Sequence, residues 1–185
     1  MGFLLRKIWH LIGTIIPLIY FFSSLSPKKA ALIVFVIFIF VFIGDVLRLF
    51  YPPLNKWFLN YFGFLVKEKE KKSITGSTYY LFAISITLFF FPKTIATCAI
   101  LYLTLGDPIS AIVGHYFPLF RIWQEKSLGG TLANFIVCLN IGFYFFSPFV
   151  AIIGAITATL VELFSPIDDA ISIPLCSALV LYYVL

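Results

Sequence analysis

Charge is what this sequence most lacks. Only 11% of its 185 residues are Asp, Glu, Lys or Arg, while 62% are hydrophobic and 19% aromatic. A soluble domain carries about 25% charged and 45–50% apolar residues. The chain therefore has too little polar surface to clothe a water-soluble globule, in line with its mean hydropathy of +1.06. Cysteine is nearly absent too: Cys98, Cys138 and Cys176 each lie in an apolar stretch, with no CxxC pair and no histidine at metal-binding spacing. A disulfide scaffold and a structural zinc site are thereby excluded, and the three read as small core or lipid-facing residues. The ~10-residue segments of alternating polarity that a transmembrane β-barrel requires are also missing. No small-residue cleavage site follows the charged head and apolar body of residues 1–24, so that segment reads as a retained first helix.

What is present is a series of long, uniformly apolar runs. Breakers between them give seven candidate spans, at about 8–24, 30–50, 76–91, 94–116, 128–147, 149–164 and 170–185. Residues 127–161 hold no charge at all, but a single helix of that length would reach about 50 Å, far more than a ~30 Å hydrocarbon core. Ser147-Pro148 is where it folds back. Phe91-Pro92-Lys93 and Ser26-Pro27-Lys28-Lys29 predict further tight turns, and residues 51–74 form the one long connection, with the run Lys67-Glu68-Lys69-Glu70-Lys71-Lys72. The expected fold is all-α: a polytopic membrane protein in which residues 1–185 make one bundle of about seven transmembrane helices.

Lys and Arg set the orientation. With the N-terminus inside, the inner side collects ten of them and the outer side only three, Lys28, Lys29 and Lys93. The basic pI of about 9.1 is thus explained by membrane topology, without a nucleic-acid partner. The same topology gathers every acidic residue, His10 and His115, and two glycine-containing stretches, Thr75-Gly76-Ser77-Thr78 and Ser127-Leu128-Gly129-Gly130-Thr131, at the inner end. Ionisable groups inside spans are costly and mark function, so a polar site is expected at the cytoplasmic face.

Spans that start at this face present free backbone N–H groups and partial positive charge. The third opens at Thr75-Gly76-Ser77 and the fifth at Lys126-Ser127, where small residues let a phosphate approach the backbone; alternatively Thr75 and Ser127 are simply helix caps. Spans that end there carry Asp45, Asp107 and Glu162, whose charges call for a compensating cation. Mg²⁺, which favours a few carboxylates plus substrate phosphates, fits that requirement. Asp45 has Arg48 three positions on, the spacing of a structural ion pair. Asp107, beside the helix-breaking Pro108, has no local partner. Asp168 and Asp169 form an acidic corner with Glu162, or cap the last helix. His10, one turn after Arg6, reads as a headgroup anchor or a phosphate contact, and His115 and the Lys/Glu run at 67–72 as solvated surface.

Taken in order, Arg6-Lys7-x-x-His10, Thr75-Gly76-Ser77-Thr78-Tyr79, Leu105-Gly106-Asp107-Pro108-x-Ser110-Ala111-x-x-Gly114, Lys126-Ser127-Leu128-x-Gly130-Thr131 and Glu162-x-x-Ser165-x-x-Asp168-Asp169-x-x-x-Ile173-Pro174-Leu175 resemble the CTP-dependent lipid kinase family. That family includes dolichol kinase, phytol kinase and the fungal CTP-using diacylglycerol kinase, and the likeness runs over residues 6–176. The resemblance implies transfer of the γ-phosphate of CTP to the hydroxyl of a membrane lipid alcohol, with a divalent metal. It implies Asp107 and Glu162 as metal holders, Asp168 or Asp169 as base, and Arg6, Lys7, His10, Thr75, Gly76, Ser77, Lys126, Ser127, Gly130 and Thr131 as nucleotide contacts. Two positions depart from the family pattern. Gly129 stands where a glutamate is expected, leaving Glu125 or Glu162 to replace it, and Asp168-Asp169-Ala170 replaces Asp-Asp-Asn. Gly114-His115-x-Phe117-Pro118 with Gly129-Gly130 also resembles the acyl-phosphate-using glycerol-3-phosphate acyltransferases, whose other motifs are missing. A non-enzymatic transporter or channel subunit would need acids reachable from both sides, whereas these cluster at one. Gly2 and Gly13 are small enough to allow close helix contact in a homo-oligomer.

Overall fold

Proline and glycine decide where the helices begin and bend. A computed structural model describes residues 2–123 and 126–185. Helices α1 (Gly2–Ile12) and α2 (Ile15–Phe22) form one rod bent at Gly13-Thr14. Pro17 has no N–H to give the Gly13 carbonyl four residues back, and the Tyr80 hydroxyl donates to that carbonyl at 2.8 Å. A Cβ at Gly13 would lie 2.6 Å from the Tyr80 hydroxyl, so this glycine serves packing within the chain. Helices α3 (Pro27–Phe50), α4 (Pro52–Phe62) and, later, α9 (Pro148–Phe164) all open on proline, where a missing N–H forfeits nothing. The remaining apolar helices are α5 (Gly76–Phe90), α6 (Lys93–Leu101), α7 (Asp107–Tyr116), α8 (Leu128–Phe145) and α10 (Asp169–Val184).

Helices α6 and α7 are one continuous rod joined by a π-helical turn over Tyr102–Gly106. Pro108 cannot donate to the Thr104 carbonyl, and a widened turn absorbs the missing bond and the ring. This rod is the buried centre of the protein: Ala96, Cys98, Ala99, Ile100 and Tyr102 are fully inaccessible. On one side it packs on Cys138, Ala155, Ala158, Ala178 and Leu181 from α8, α9 and α10. On the other it packs on a cluster with Tyr20, Val34, Ile84 and Leu88 from α2, α3 and α5.

Four rods, Gly2–Phe22, Pro27–Phe50, Lys93–Tyr116 and Leu128–Phe145, are long and apolar enough to cross a membrane. Gly76–Phe90, Pro148–Phe164 and Asp169–Val184 are apolar but shorter, about 22 to 26 Å at 1.5 Å per residue. Large apolar side chains such as Phe22, Phe40 and Phe50 stand more than 70% exposed along the outer faces, a surface that only lipid solvates well. The chain is an integral membrane protein.

The connection at 51–74 is more ordered than its sequence indicates. It holds α4 and two 3₁₀ turns, Gly63–Leu65 and Glu68–Lys72. The Arg48 guanidinium, only 2% exposed, gathers the segment: it donates to Asp45 Oδ1 (2.7 Å), Asn55 Oδ1 (3.1 Å) and the carbonyls of Glu70 (3.1 Å) and Ser73 (2.6 Å). Glu70 itself is buried and accepts from the Lys67 N–H, so the Lys/Glu run is not wholly a solvated face. A second small feature not expected from the sequence is a two-stranded ribbon, β1 (Arg121–Trp123) with β2 (Lys126–Ser127), ahead of α8. Because successive rods reverse direction, the ends of α3, α7 and α9 and the starts of α5, α8 and α10 meet at one end of the bundle.

Candidate active site

That shared end contains a cavity of about 520 Å³ whose lining includes four carboxylates, Asp107, Glu162, Asp168 and Asp169, and five cations, Arg6, Lys7, Lys67, Arg121 and Lys126. Asp107 opens α7 directly after the π turn and is 7% exposed. The sequence offers it no nearby partner, but α1 supplies one a hundred residues away: Lys7 Nζ donates to Asp107 Oδ2 at 3.0 Å, and His10 Nδ1 lies 3.7 Å from the same oxygen. The expectation of an unpaired carboxylate is therefore corrected.

Glu162, near the end of α9, accepts from the Lys126 ammonium and from Ser110 Oγ (3.1 Å), both on Oε1. Its Oε2 is buried with no hydrogen-bond partner among the described residues. Lys126 also donates to Asp169 Oδ2 at 3.1 Å. Burial lowers the lysine pKa, but the neighbouring Glu162 and Asp169 carboxylates outweigh it and hold the pKa above the ordinary lysine range, so Lys126 is a fixed cation. Asp107, Glu162 and Asp169 each offer an oxygen within 4.8 Å of the others. Three hard oxygen donors, with the buried Glu162 Oε2 free of any partner among the described residues, fit a small divalent cation such as Mg²⁺.

Helix starts play a different part from the one expected of them. In α8 the Ser127 hydroxyl caps the Gly130 N–H (3.2 Å), while the N–H groups of Leu128 and Gly129 donate to the carbonyls of Phe120 (2.9 Å) and Pro118 (3.2 Å). Leu119, at φ 58°, turns the loop so that both carbonyls face the helix, a conformation costing about 1–3 kcal/mol in a non-glycine residue. In α5, Asp45 Oδ2 accepts from the Thr75 N–H (2.8 Å) and the hydroxyls of Thr75 (2.8 Å) and Thr78 (2.6 Å). A carboxylate already occupies that helix start. Thr75, Gly76 and Ser77 line a neighbouring cavity and not the one holding the acids. Asp168 caps α10 through the Ala170 N–H (3.1 Å) and sits 3.9 Å from Lys67 Nζ. The positive charge of the polar cavity thus comes from side-chain cations; Ser127 caps its helix, whereas Thr75 makes no side-chain cap bond and the Asp45 carboxylate closes that helix start.

Arg6, Lys7, His10, Lys126, Ser127, Gly130 and Thr131 do line the polar cavity, as does His115, which was expected on solvated surface. Ser110, Lys67 and Arg121 join them without having been singled out. Ser110 was legible three residues after Asp107 on one helical face; the orientation count puts Lys67 and Arg121 on the inner side, but no motif places either in the cavity. Glu125 lies outside the described residues.

Gly129, in place of the family glutamate, has a steric cause. A Cβ there would stand 1.9 Å from the Phe117 carbonyl oxygen. Gly130 is equally close-packed, its Cβ position 2.8 Å from the Ser110 carbonyl of α7. Gly129→Glu should therefore lower the melting temperature in detergent, overpacking of this kind costing about 1–3 kcal/mol, and should not raise turnover. A Gly129→Glu protein as stable as wild type and faster would show that the loop yields freely.

The described residues thus place an acid cluster, with lysine and arginine in the same cavity, at one end of an apolar membrane bundle. Comparison with known proteins places it more closely. The chain is 30% identical over 184 residues to an uncharacterized protein of Rickettsia prowazekii, covering 92% of this chain and 88% of that one. It is 28% identical over 169 residues to CTP-dependent diacylglycerol kinase 1 of Schizosaccharomyces pombe, covering 80% and 78%. With CTP-dependent diacylglycerol kinase 1 of Eremothecium gossypii it shares 29% over 136 residues, 71% of this chain but only 42% of that protein. No family model and no solved structure matches the chain. The chain belongs to the CTP-dependent lipid kinase family and is a lipid-alcohol kinase by class.

Proposed function

We propose that this protein transfers the γ-phosphate of CTP to the hydroxyl of diacylglycerol, at the cytoplasmic end of a seven-span bundle whose N-terminus lies inside. One observation carries the reading: three carboxylates within reach of a single ion, in a cavity of cations, at one end of an apolar bundle. Phosphoryl transfer asks a protein chiefly for charge neutralisation and in-line positioning. Arg6, Lys7, Lys126 and Arg121 supply the first for the triphosphate. Asp107, Glu162 and Asp169 would hold Mg²⁺, which when bound neutralises charge developing on the β- and γ-phosphates.

In the transfer, the acceptor oxygen bonds to the γ-phosphorus while the bond to the β–γ bridging oxygen breaks, and CDP leaves with that electron pair. The hydroxyl proton needs a base. Asp169 is held by Lys126, and Asp168 has Oδ1 committed to capping α10. His10 lies in the same cavity with Nδ1 3.7 Å from Asp107 Oδ2, beyond hydrogen-bond distance, and its imidazole offers a ring nitrogen to accept the proton. In this reading His10 takes the role that the sequence assigned to Asp168 or Asp169.

Incubation of purified protein with γ-labelled CTP or ATP and a panel of diacylglycerol, polyprenol, dolichol and phytol tests the reading. Label should pass from CTP to diacylglycerol. Label in no lipid, or transfer from ATP in preference to CTP, would overturn it. Mg²⁺ with CTP should raise the melting temperature by mass action, independently of turnover. For orientation, a cysteine at residue 69 in inverted vesicles should react with an impermeant maleimide applied from outside, the cytoplasmic side there; reaction only from the lumen would reverse the topology.

A further inference from the structure

A second cavity, of about 420 Å³, adjoins the polar one and shares part of its wall: Arg6, His10, Lys67, Asp168 and Ala170 line both. Its far side is unlike the first. Beyond the shared wall its lining combines Trp57, Phe58 and Phe62 of α4, Trp9 of α1 and Val41 of α3 with the ion-paired Asp45 and Arg48, so most of the surface there is apolar and aromatic. We infer that this cavity is the acceptor site, taking the hydroxyl end of a neutral glycerolipid alcohol, with its free hydroxyl toward His10 and its glycerol esters against the aromatic face of α4. The inference rests on the kinase reading and names the place from which the acceptor reacts.

Three observations support this occupant. First, the volume lies within the range of small-molecule sites, about 300–1,000 Å³: it admits a head and the first methylenes, and the acyl chains must leave through its open side into the bilayer. Second, charge matching favours a neutral head. The Arg48 guanidinium bonds Asp45 at 2.7 Å, and Lys67 lies 3.9 Å from both Glu70 and Asp168. These two cations are already compensated and offer an anionic phospholipid little, and Arg6 stands on the wall shared with the polar cavity, where the kinase reading gives it to the triphosphate. Third, the roof is built for the membrane surface. Helix α4 has no buried residue, carries Trp57 and Tyr61 at contact distance, and is held to α3 through Asn55–Arg48 and the Arg48 guanidinium 4.8 Å from the Phe58 ring. Aromatic rings of this kind settle at headgroup depth.

Gly44 gives the test its handle. It lines the cavity, and a Cβ built there meets nothing within 4 Å among the described residues, so the backbone admits a side chain at the cavity wall. A diacylglycerol with a diazirine near the ester end of one acyl chain should photolabel the wild-type protein on α3 or α4. Gly44→Trp should cut that labelling at least tenfold and Gly44→Leu by less, while thermal stabilisation by CTP and Mg²⁺ stays unchanged. Labelling confined to other surfaces, or undiminished in a folded Gly44→Trp protein, would overturn the inference. Because labelling reads binding alone, it separates the two readings. A protein that labels here yet phosphorylates no lipid loses the kinase reading and keeps the site, whereas one that phosphorylates diacylglycerol but labels elsewhere keeps the kinase reading and loses the site.

Discussion

Asp107→Asn should lower lipid phosphorylation by about two orders of magnitude or more, the scale at which removing a charge-stabilising group or metal holder acts. The substitution keeps the shape of the side chain at the head of α7 and removes its charge. Two explanations then have to be separated, because Lys7 Nζ lies 3.0 Å away and would be left uncompensated. If the pair only holds α1 to α7, the double variant Asp107→Asn/Lys7→Met removes both charges and should recover stability and activity together. If either side chain acts on the phosphates, the double variant recovers stability and not turnover; Mg²⁺ that no longer adds to stabilisation by CTP then assigns the effect to Asp107 through a bound cation, whereas loss of the stabilisation by CTP alone assigns it to Lys7. We expect the second pattern. Near-normal turnover in folded Asp107→Asn would remove Asp107 from the site.

Why the sequence led to Asp107 and yet missed its partner is a matter of range. Local periodicity and breakers locate apolar rods well, since a lipid-facing helix has to be apolar almost all round; the predicted runs at 76–91 and 149–164 match α5 and α9 within a residue at each end. The first rod extends further toward the N-terminus than expected, because the charges of Arg6 and Lys7 interrupt the apolar run in the sequence, whereas both side chains line the cavity. Contacts across a hundred residues, such as Lys7 with Asp107, leave no periodic trace. The connection at 51–74 was opaque for a related reason: its segment is secured by Arg48 from the preceding rod, half of whose partners, the Glu70 and Ser73 carbonyls, are backbone groups that any sequence provides. The helix-start motifs were visible, but their residue types suit capping and phosphate binding alike. Only the positions of Asp45, Pro118 and Phe120 decide between them.

Loss of the Arg48 clasp should affect the protein through stability, in contrast to Asp107. Asp45 and Arg48 are 5% and 2% exposed, and breaking such a buried pair from one side costs about 3–5 kcal/mol, because the surviving charge stays buried without its counter-ion. Arg48→Met leaves Asp45 the Thr75 N–H and the hydroxyls of Thr75 and Thr78, but strips Asn55 and the Glu70 and Ser73 carbonyls of their donor. The 51–74 segment should then come loose from α3. The expected result is a large fall in melting temperature in detergent, with protease sensitivity appearing first between α4 and α5. Asp45→Asn strands the guanidinium and should cost a similar amount. The double variant Asp45→Asn/Arg48→Met should be more stable than the sum of the two single losses allows, since no lone charge remains. Affinity for CTP per folded molecule should hold throughout, because neither side chain lines the polar cavity. A melting temperature unchanged in Arg48→Met, or CTP affinity falling in step with stability, would show that Arg48 serves the nucleotide and not the scaffold.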